Sequence, residues 1–130
     1  MRALIVDDSP VMRKVVERAL RQAGIELSEV LNAGNGTEAL EVLRHNTEHL
    51  DLIVSDINMP GMDGLQFLEQ RRNENLATGV PVFMITTENT AALVLRAIAA
   101  GARGYICKPF TPDQIRARIV PLLLQSLASA

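Results

Sequence analysis

Short apolar runs that stop at charged or polar residues recur along the chain. Ala3-Leu4-Ile5-Val6 stops at Asp7-Asp8, and Leu52-Ile53-Val54 passes through Ser55 to Asp56. Val80 to Ile85 ends at Thr86-Thr87, and Gly104-Tyr105-Ile106-Cys107 ends at Lys108-Pro109. A weaker run, Leu27 to Ala33, centres on Val30 and Leu31. The runs are continuous rather than alternating, as in strands buried on both faces.

Helical patterns lie between them. Ser9 reads as an N-cap and Pro10 as the first helical residue. Val11, Met12, Val15, Val16, Ala19, Leu20 and Ala23 then form one apolar stripe, closed by Gly24 as C-cap. Gly34-Asn35-Gly36 turns into a second helix, with Thr37 as its expected cap and Ala39, Leu40 and Leu43 inward. Asn58 to Gly64 is a Pro/Gly loop. A short third helix is expected from about Leu65 to Arg72, then a polar connection from Asn73 to Gly79. The fourth helix spans roughly Thr90 to Ala100, closed by Gly101. Thr111 and Gln114 form a capping box at the start of the last helix. Pro121 removes a ladder bond there and clashes with the carbonyl of Ala117, so a kink or an end is expected nearby. Beyond it, Leu122, Leu123, Leu124 and Leu127 are either a partly packed continuation or an exposed strip for a partner or second copy.

Five strand–helix units with short joints predict an α/β fold, a single doubly wound domain over residues 1–130 with a parallel sheet between helices. Aromatic residues are 3% of the chain and Trp is absent, so the core must be aliphatic. A formal net charge of −2 does not suggest nucleic acid or an anionic membrane as partner. No apolar run approaches a bilayer span and no signal peptide is visible, so the cytoplasm is the expected location. The lone Cys107 reads as a small buried strand residue. His45 and His49 read as surface residues, and Met59 and Met62 as loop residues that pack.

The strand ends carry the chemistry. Parallel strands point the same way, so Asp7-Asp8, Asp56, Thr86-Thr87 and Lys108 should gather on one edge of the sheet. Three crowded carboxylates repel one another, and a divalent cation such as Mg²⁺ relieves that repulsion. Lys108 adds a compact positive charge suited to a phosphate.

Val6-Asp7-Asp8-Ser9, Ser55-Asp56 followed by Asn58-Met59-Pro60-Gly61-Met62-Asp63-Gly64, Ile85-Thr86, and Gly104-Tyr105 with Lys108-Pro109-Phe110 occur in this order on the (βα)₅ pattern. In this the chain resembles the receiver domains of two-component response regulators, most closely the stand-alone chemotaxis type. The flavodoxin-like strand order 2-1-3-4-5, known from flavodoxin and from a chemotaxis regulator, reverses between strands one and three. Asp7-Asp8 and Asp56 end those two strands.

The resemblance implies that Asp56 is the phosphoacceptor. Asp7, Asp8, Asp56 and the backbone carbonyl of Asn58 would hold Mg²⁺, with Asp8 the more direct ligand. Thr86 would bond a phosphoryl oxygen, Lys108 would pair with it across a cis Lys108-Pro109 bond, and Tyr105 would rotate inward on activation. The donor would be a histidine kinase. With no DNA-binding segment after the last helix, output would run through a protein target, as a monomer or a phosphorylation-dependent dimer. The output surface would be the face of the fourth helix, fifth strand and fifth helix. Such a protein is a regulator rather than an enzyme, beyond its own phosphoryl transfer and hydrolysis.

The alternatives are a pseudo-receiver acting as a constitutive binding module, a phosphate sink, and a flavin- or nucleotide-binding enzyme. The last is disfavoured by an acidic first strand–helix turn, where a phosphate cradle wants glycines. Thr87 stands where the family usually has a smaller residue, which implies narrower access to Asp56. Ile57, Asn58 and Glu88 flank the site, and the last two occupy positions that tune the lifetime of the mark.

Overall fold

The computed structural model describes residues 1–87 and 90–128. Glu88 and the side chain of Leu127 lie outside the described residues. The elements alternate as β1 (Arg2–Val6), α1 (Pro10–Gln22), β2 (Glu29–Ala33), α2 (Gly36–His45), β3 (Leu52–Asp56), α3 (Gly64–Asn73), β4 (Val82–Thr86), α4 (Ala91–Ala99), β5 (Gly104–Cys107), α5 (Pro112–Arg118) and α6 (Val120–Ala128). The strands pair in parallel in the order 2-1-3-4-5, as expected. β3 and β4 are buried throughout, which is why they read as unbroken apolar runs.

Side chains alternate between two cores. Leu4, Val6, Ile53, Val82 and Met84 meet α2, α3 and α4 on one face. Ala3, Ile5, Leu52, Val54, Phe83, Ile85 and Ile106 meet α1 and α5 on the other. The expected α1 stripe is too wide. Val16, Ala19, Leu20 and Ala23 are buried, but Val11 is 74% exposed and Val15 44%. The helix presses a narrow seam on the sheet, and those two valines fall beyond it.

Local chemistry sets most boundaries. Ser9 caps α1 by accepting from the Met12 N–H at 3.1 Å. Gly24, at φ 97°, follows the Ala23 C-cap. Gly24 N–H bonds the Arg21 carbonyl and Ile25 N–H the Leu20 carbonyl, which satisfies the last turn. Asn35, not Thr37, caps α2 through the Glu38 N–H. Asp63 and Gln66 form a capping box that starts α3 at Gly64, and Thr111 with Gln114 does the same for α5. β4 starts two residues later than its apolar run, at Val82. Pro81 has no N–H to pair, although its carbonyl accepts from Ile53 N–H at 3.0 Å.

The last helical stretch is broken. α5 stops at Arg118, and α6 begins at Val120 with Pro121 second, where a missing N–H costs no ladder bond. Leu123 is buried in the α1/α5 core, Leu122 is half-buried beside it, and Leu124 is exposed. Cys107 is half-buried rather than buried, because β5 is an edge strand.

Candidate functional site

Strand register brings the polar ends to one edge. Val6 lies beside Ser55, Asp56 beside Ile85, and Thr86 beside Cys107. The next residues out, Asp7 and Lys108, therefore flank Asp56. Carboxylate oxygens of Asp7, Asp8 and Asp56 all lie within 4.8 Å of one another. Asp7 and Asp56 are 3% and 8% exposed, whereas Asp8 is open to solvent. Lys108 Nζ donates to Asp56 Oδ2 at 3.1 Å and to Asp7 Oδ2 at 3.3 Å. The Lys108-Pro109 bond is cis.

The electrostatics follow from crowding. Burial pushes the Asp56 carboxyl above its ordinary value, Lys108 opposes that, and the charge of Asp7 adds to the rise. Burial also pulls the Lys108 ammonium down, but Asp56 and Asp7 together outweigh it and hold it above the usual lysine value. One ammonium thus serves two buried carboxylates, and the exposed Asp8 adds a third negative charge beside them. Such a set of hard oxygen donors, one facing solvent, suits Mg²⁺, which keeps several waters and takes one or two carboxylates.

Asp7 is tied at every polar atom. Its N–H donates to the Ala33 carbonyl at 3.1 Å and its Oδ1 accepts from Ser9 N–H at 2.9 Å. Oδ2 takes Lys108, and its carbonyl accepts from Arg13 Nη1 at 2.6 Å. Asp56 is held at the backbone. Ser55 Oγ donates to its carbonyl at 2.9 Å, and Ile57 N–H bonds the Ile85 carbonyl at 3.2 Å. Gly64 packs so closely that a Cβ there would lie 2.2 Å from the Asp56 carbonyl oxygen.

Not every expected residue joins this cluster directly. Asn58 is exposed, two residues beyond Asp56. Thr86 is buried at the end of β4, and Thr87 after it is exposed. Tyr105 shares the face of β5 that carries Cys107 and lies opposite Met84. It is half-buried against the α2/α3/α4 core, with the Arg118 guanidinium 5.8 Å from its ring centroid. His45 and His49 are exposed, His45 against the Glu41 carbonyl and His49 beside the Asp51 carboxylate. Met59 is buried, and Met62 packs against the same core. Sequence reasoning missed Arg13 and Gly64. Arg13 had a signal, one helical turn beyond the Ser9 cap and so pointing back to the strand end. Gly64 closes the Asn58 to Gly64 motif, but nothing local in it signals the close approach to the Asp56 carbonyl.

Residues 3–120 match the family described as the response regulator receiver domain. The chain is 39% identical over 123 residues to the chemotaxis protein CheY1 of Helicobacter pylori, covering 95% of this chain and 97% of that one. It is 37% identical to a CheY homolog of Campylobacter jejuni, over 95% and 92% of the two chains. Among solved structures it resembles CheY4 of Vibrio cholerae, with a TM-score of 0.73 and 34% identity over 98% and 96% of the chains. A CheY-like receiver domain of Methanospirillum hungatei gives a TM-score of 0.82 at 27% identity, over 99% and 98%. Five parallel strands in the order 2-1-3-4-5, an acid cluster with a lysine at their ends and a family match along nearly the whole length make this chain a member of the response regulator receiver family.

Proposed function

We propose that the chain is a phosphorylation-controlled signalling switch, with Asp56 as phosphoacceptor and a histidine kinase as donor. The convergence of Asp7, Asp8, Asp56 and Lys108 carries this reading. In the transfer, Asp56 Oδ forms a bond to phosphorus as the bond to the kinase's phosphohistidine nitrogen breaks, and the imidazole leaves. Asp7, Asp8, Asp56 and the Asn58 carbonyl would hold Mg²⁺, which supplies charge compensation for the phosphoryl oxygens.

Lys108 already bridges Asp7 and Asp56, so it is placed to move from carboxylate to phosphoryl oxygen. Thr86 ends the strand beside Asp56 and can offer its hydroxyl to the same group. A shift of Thr86 would change the space beside Cys107, and Tyr105, half-buried two residues earlier, would turn into it. That motion repacks the face of α4, β5 and α5. α4 already presents Leu95 and Ile98 at 66% and 51% exposure. A protein target would read that face, with the chain acting as a monomer or as a phosphorylation-dependent dimer. Among the described residues no helix is long and apolar enough to cross a membrane, and a cytoplasmic location suits a kinase-fed switch.

The test is a beryllofluoride mimic of the phosphoryl group, added with Mg²⁺ to ¹⁵N-labelled wild type and Asp56→Asn. Amide shifts at Thr86 and Tyr105 are expected in wild type alone. Unchanged wild-type spectra would instead make the chain a pseudo-receiver. Shifts that alter binding to no protein target would make it a phosphate sink.

A further inference from the structure

Arg13 stands apart from the acids and Lys108, yet it grips the turn that carries them. Its backbone N–H donates to the Ser9 carbonyl at 3.0 Å, as the first bond of α1. Its side-chain Nη1 donates to the Asp7 carbonyl at 2.6 Å. One residue therefore holds the carbonyls on both sides of Asp8. The Asp7 carbonyl lies in the same rigid peptide plane as the Asp8 nitrogen and Cα, and the next plane is held by the Ser9 N–H on Asp7 Oδ1; with both planes fixed, the Asp8 side chain leaves the backbone in one direction. Asp8 needs this more than its neighbours do. Asp7 and Asp56 are held by burial and by Lys108, while Asp8 is the exposed carboxylate of the three. The guanidinium also lies over the second strand–helix turn, where a Cβ on Gly34 would come 3.8 Å from the same nitrogen.

We infer that Arg13 is a positioning residue for the divalent cation, acting through the Asp7-Asp8 peptide to aim the Asp8 carboxylate. The inference rests on the Mg²⁺ reading above. Charge and geometry predict opposite signs here. A cation beside a cation site repels the metal, so on charge alone its removal tightens Mg²⁺ binding. As an anchor, its removal loosens binding, in the way that loss of an outer-shell partner does.

Mg²⁺ titration of the full ¹⁵N-labelled chain, followed by amide shifts, separates them. Arg13→Met removes donor and charge, Arg13→Lys keeps the charge but loses the planar fork, and exposed Arg18→Met removes a charge elsewhere on α1. Both Arg13 variants are expected to raise the Mg²⁺ dissociation constant by about tenfold, and Arg18→Met by less than about twofold. In metal-free protein, hydrogen exchange at the Asp8 and Ser9 amides should quicken in the Arg13 variants alone. Tighter binding in Arg13→Met, or wild-type affinity in Arg13→Lys, overturns the inference while leaving the cation reading intact. A wild type that shows no Mg²⁺-dependent shifts overturns both. Should Arg13→Met lose its dispersed spectrum, Arg13→Lys decides alone.

Discussion

Gly64→Ala adds one methyl group at the start of α3, directly against the phosphoacceptor strand. An ideal Cβ would sit 2.2 Å from the Asp56 carbonyl oxygen, 2.9 Å from Ile57 Cα and 2.8 Å from Met84 Cε. The methionine terminus can rotate away, but the two backbone atoms cannot. Carbon–oxygen contacts settle at about 3.3 Å or more, so helix and strand must separate by about 1 Å. That strains the 2.8 Å bond from Gly64 N–H to the Ile57 carbonyl. Overpacking costs about 1–3 kcal/mol and a weakened bond about 1 kcal/mol more. The better helix propensity of alanine returns up to about 1 kcal/mol. The net expectation is roughly 1–4 kcal/mol of destabilisation. In urea unfolding this lowers the midpoint by about 1–2 M. Gly61→Ala is the comparison. Gly61 has φ 75° and nothing within 4 Å of a new Cβ, so it costs only left-handed strain of about 1 kcal/mol. Amide shifts at Asp56 and Ile57 should move in Gly64→Ala and stay in Gly61→Ala. A Gly64→Ala variant that unfolds within about 0.5 kcal/mol of wild type, with those shifts unmoved, would refute this close contact.

Asp56→Asn should raise the melting temperature of the Mg²⁺-free protein at pH 7. The folded Asp56 carboxyl is raised by burial, so its contribution to stability is present below the unfolded carboxylate range and is lost as pH rises through the folded value. The advantage of Asn should therefore shrink as the pH falls toward about 4, and equal melting curves at pH 7 would refute it. Glu74 behaves in the opposite sense. Arg44 and Gln70 hold its carboxyl down from 4.5 to about 2, so its stabilisation is present above the unfolded value and lost as pH falls through that interval. Glu74→Gln should lower stability at pH 7 and flatten the acid limb of stability against pH, measured by urea titration. Leu123→Ala should cost about 2–4 kcal/mol, since the side chain is buried in the α1/α5 core beyond the span matched by the family. Chemical denaturation reading less than about 0.5 kcal/mol would make α6 an appendage.

Much of the fold was legible because its signals are local. Continuous apolar runs between capped helices needed no tertiary information, and the caps at Ser9 and Thr111 are bonds within four residues. The errors arose where two local solutions competed. Asn35 won the α2 cap from Thr37, and Pro81 trimmed a strand that its apolar run alone would extend. The width of the α1 seam was not readable. Val11 and Val15 continue the helical period, but the seam that α1 buries, Val16, Ala19, Leu20 and Ala23, does not reach them.

The gathering of the acids and Lys108 at one edge was a consequence of parallel strands and needed no coordinates to be expected. What the sequence by itself determined is therefore the order of elements, their faces, and which residues end each strand. Only the tertiary structure decided how those ends differ from one another. Asp7 is tied at four atoms, Asp8 is left to solvent, and Asp56 is pinned by a glycine from the next helix. The physical reason is distance along the chain. Caps and periodicity act over a few residues, whereas Lys108 meets Asp7 across 101 positions and Asp56 across 52. Bonds of that reach exist only once the sheet has assembled.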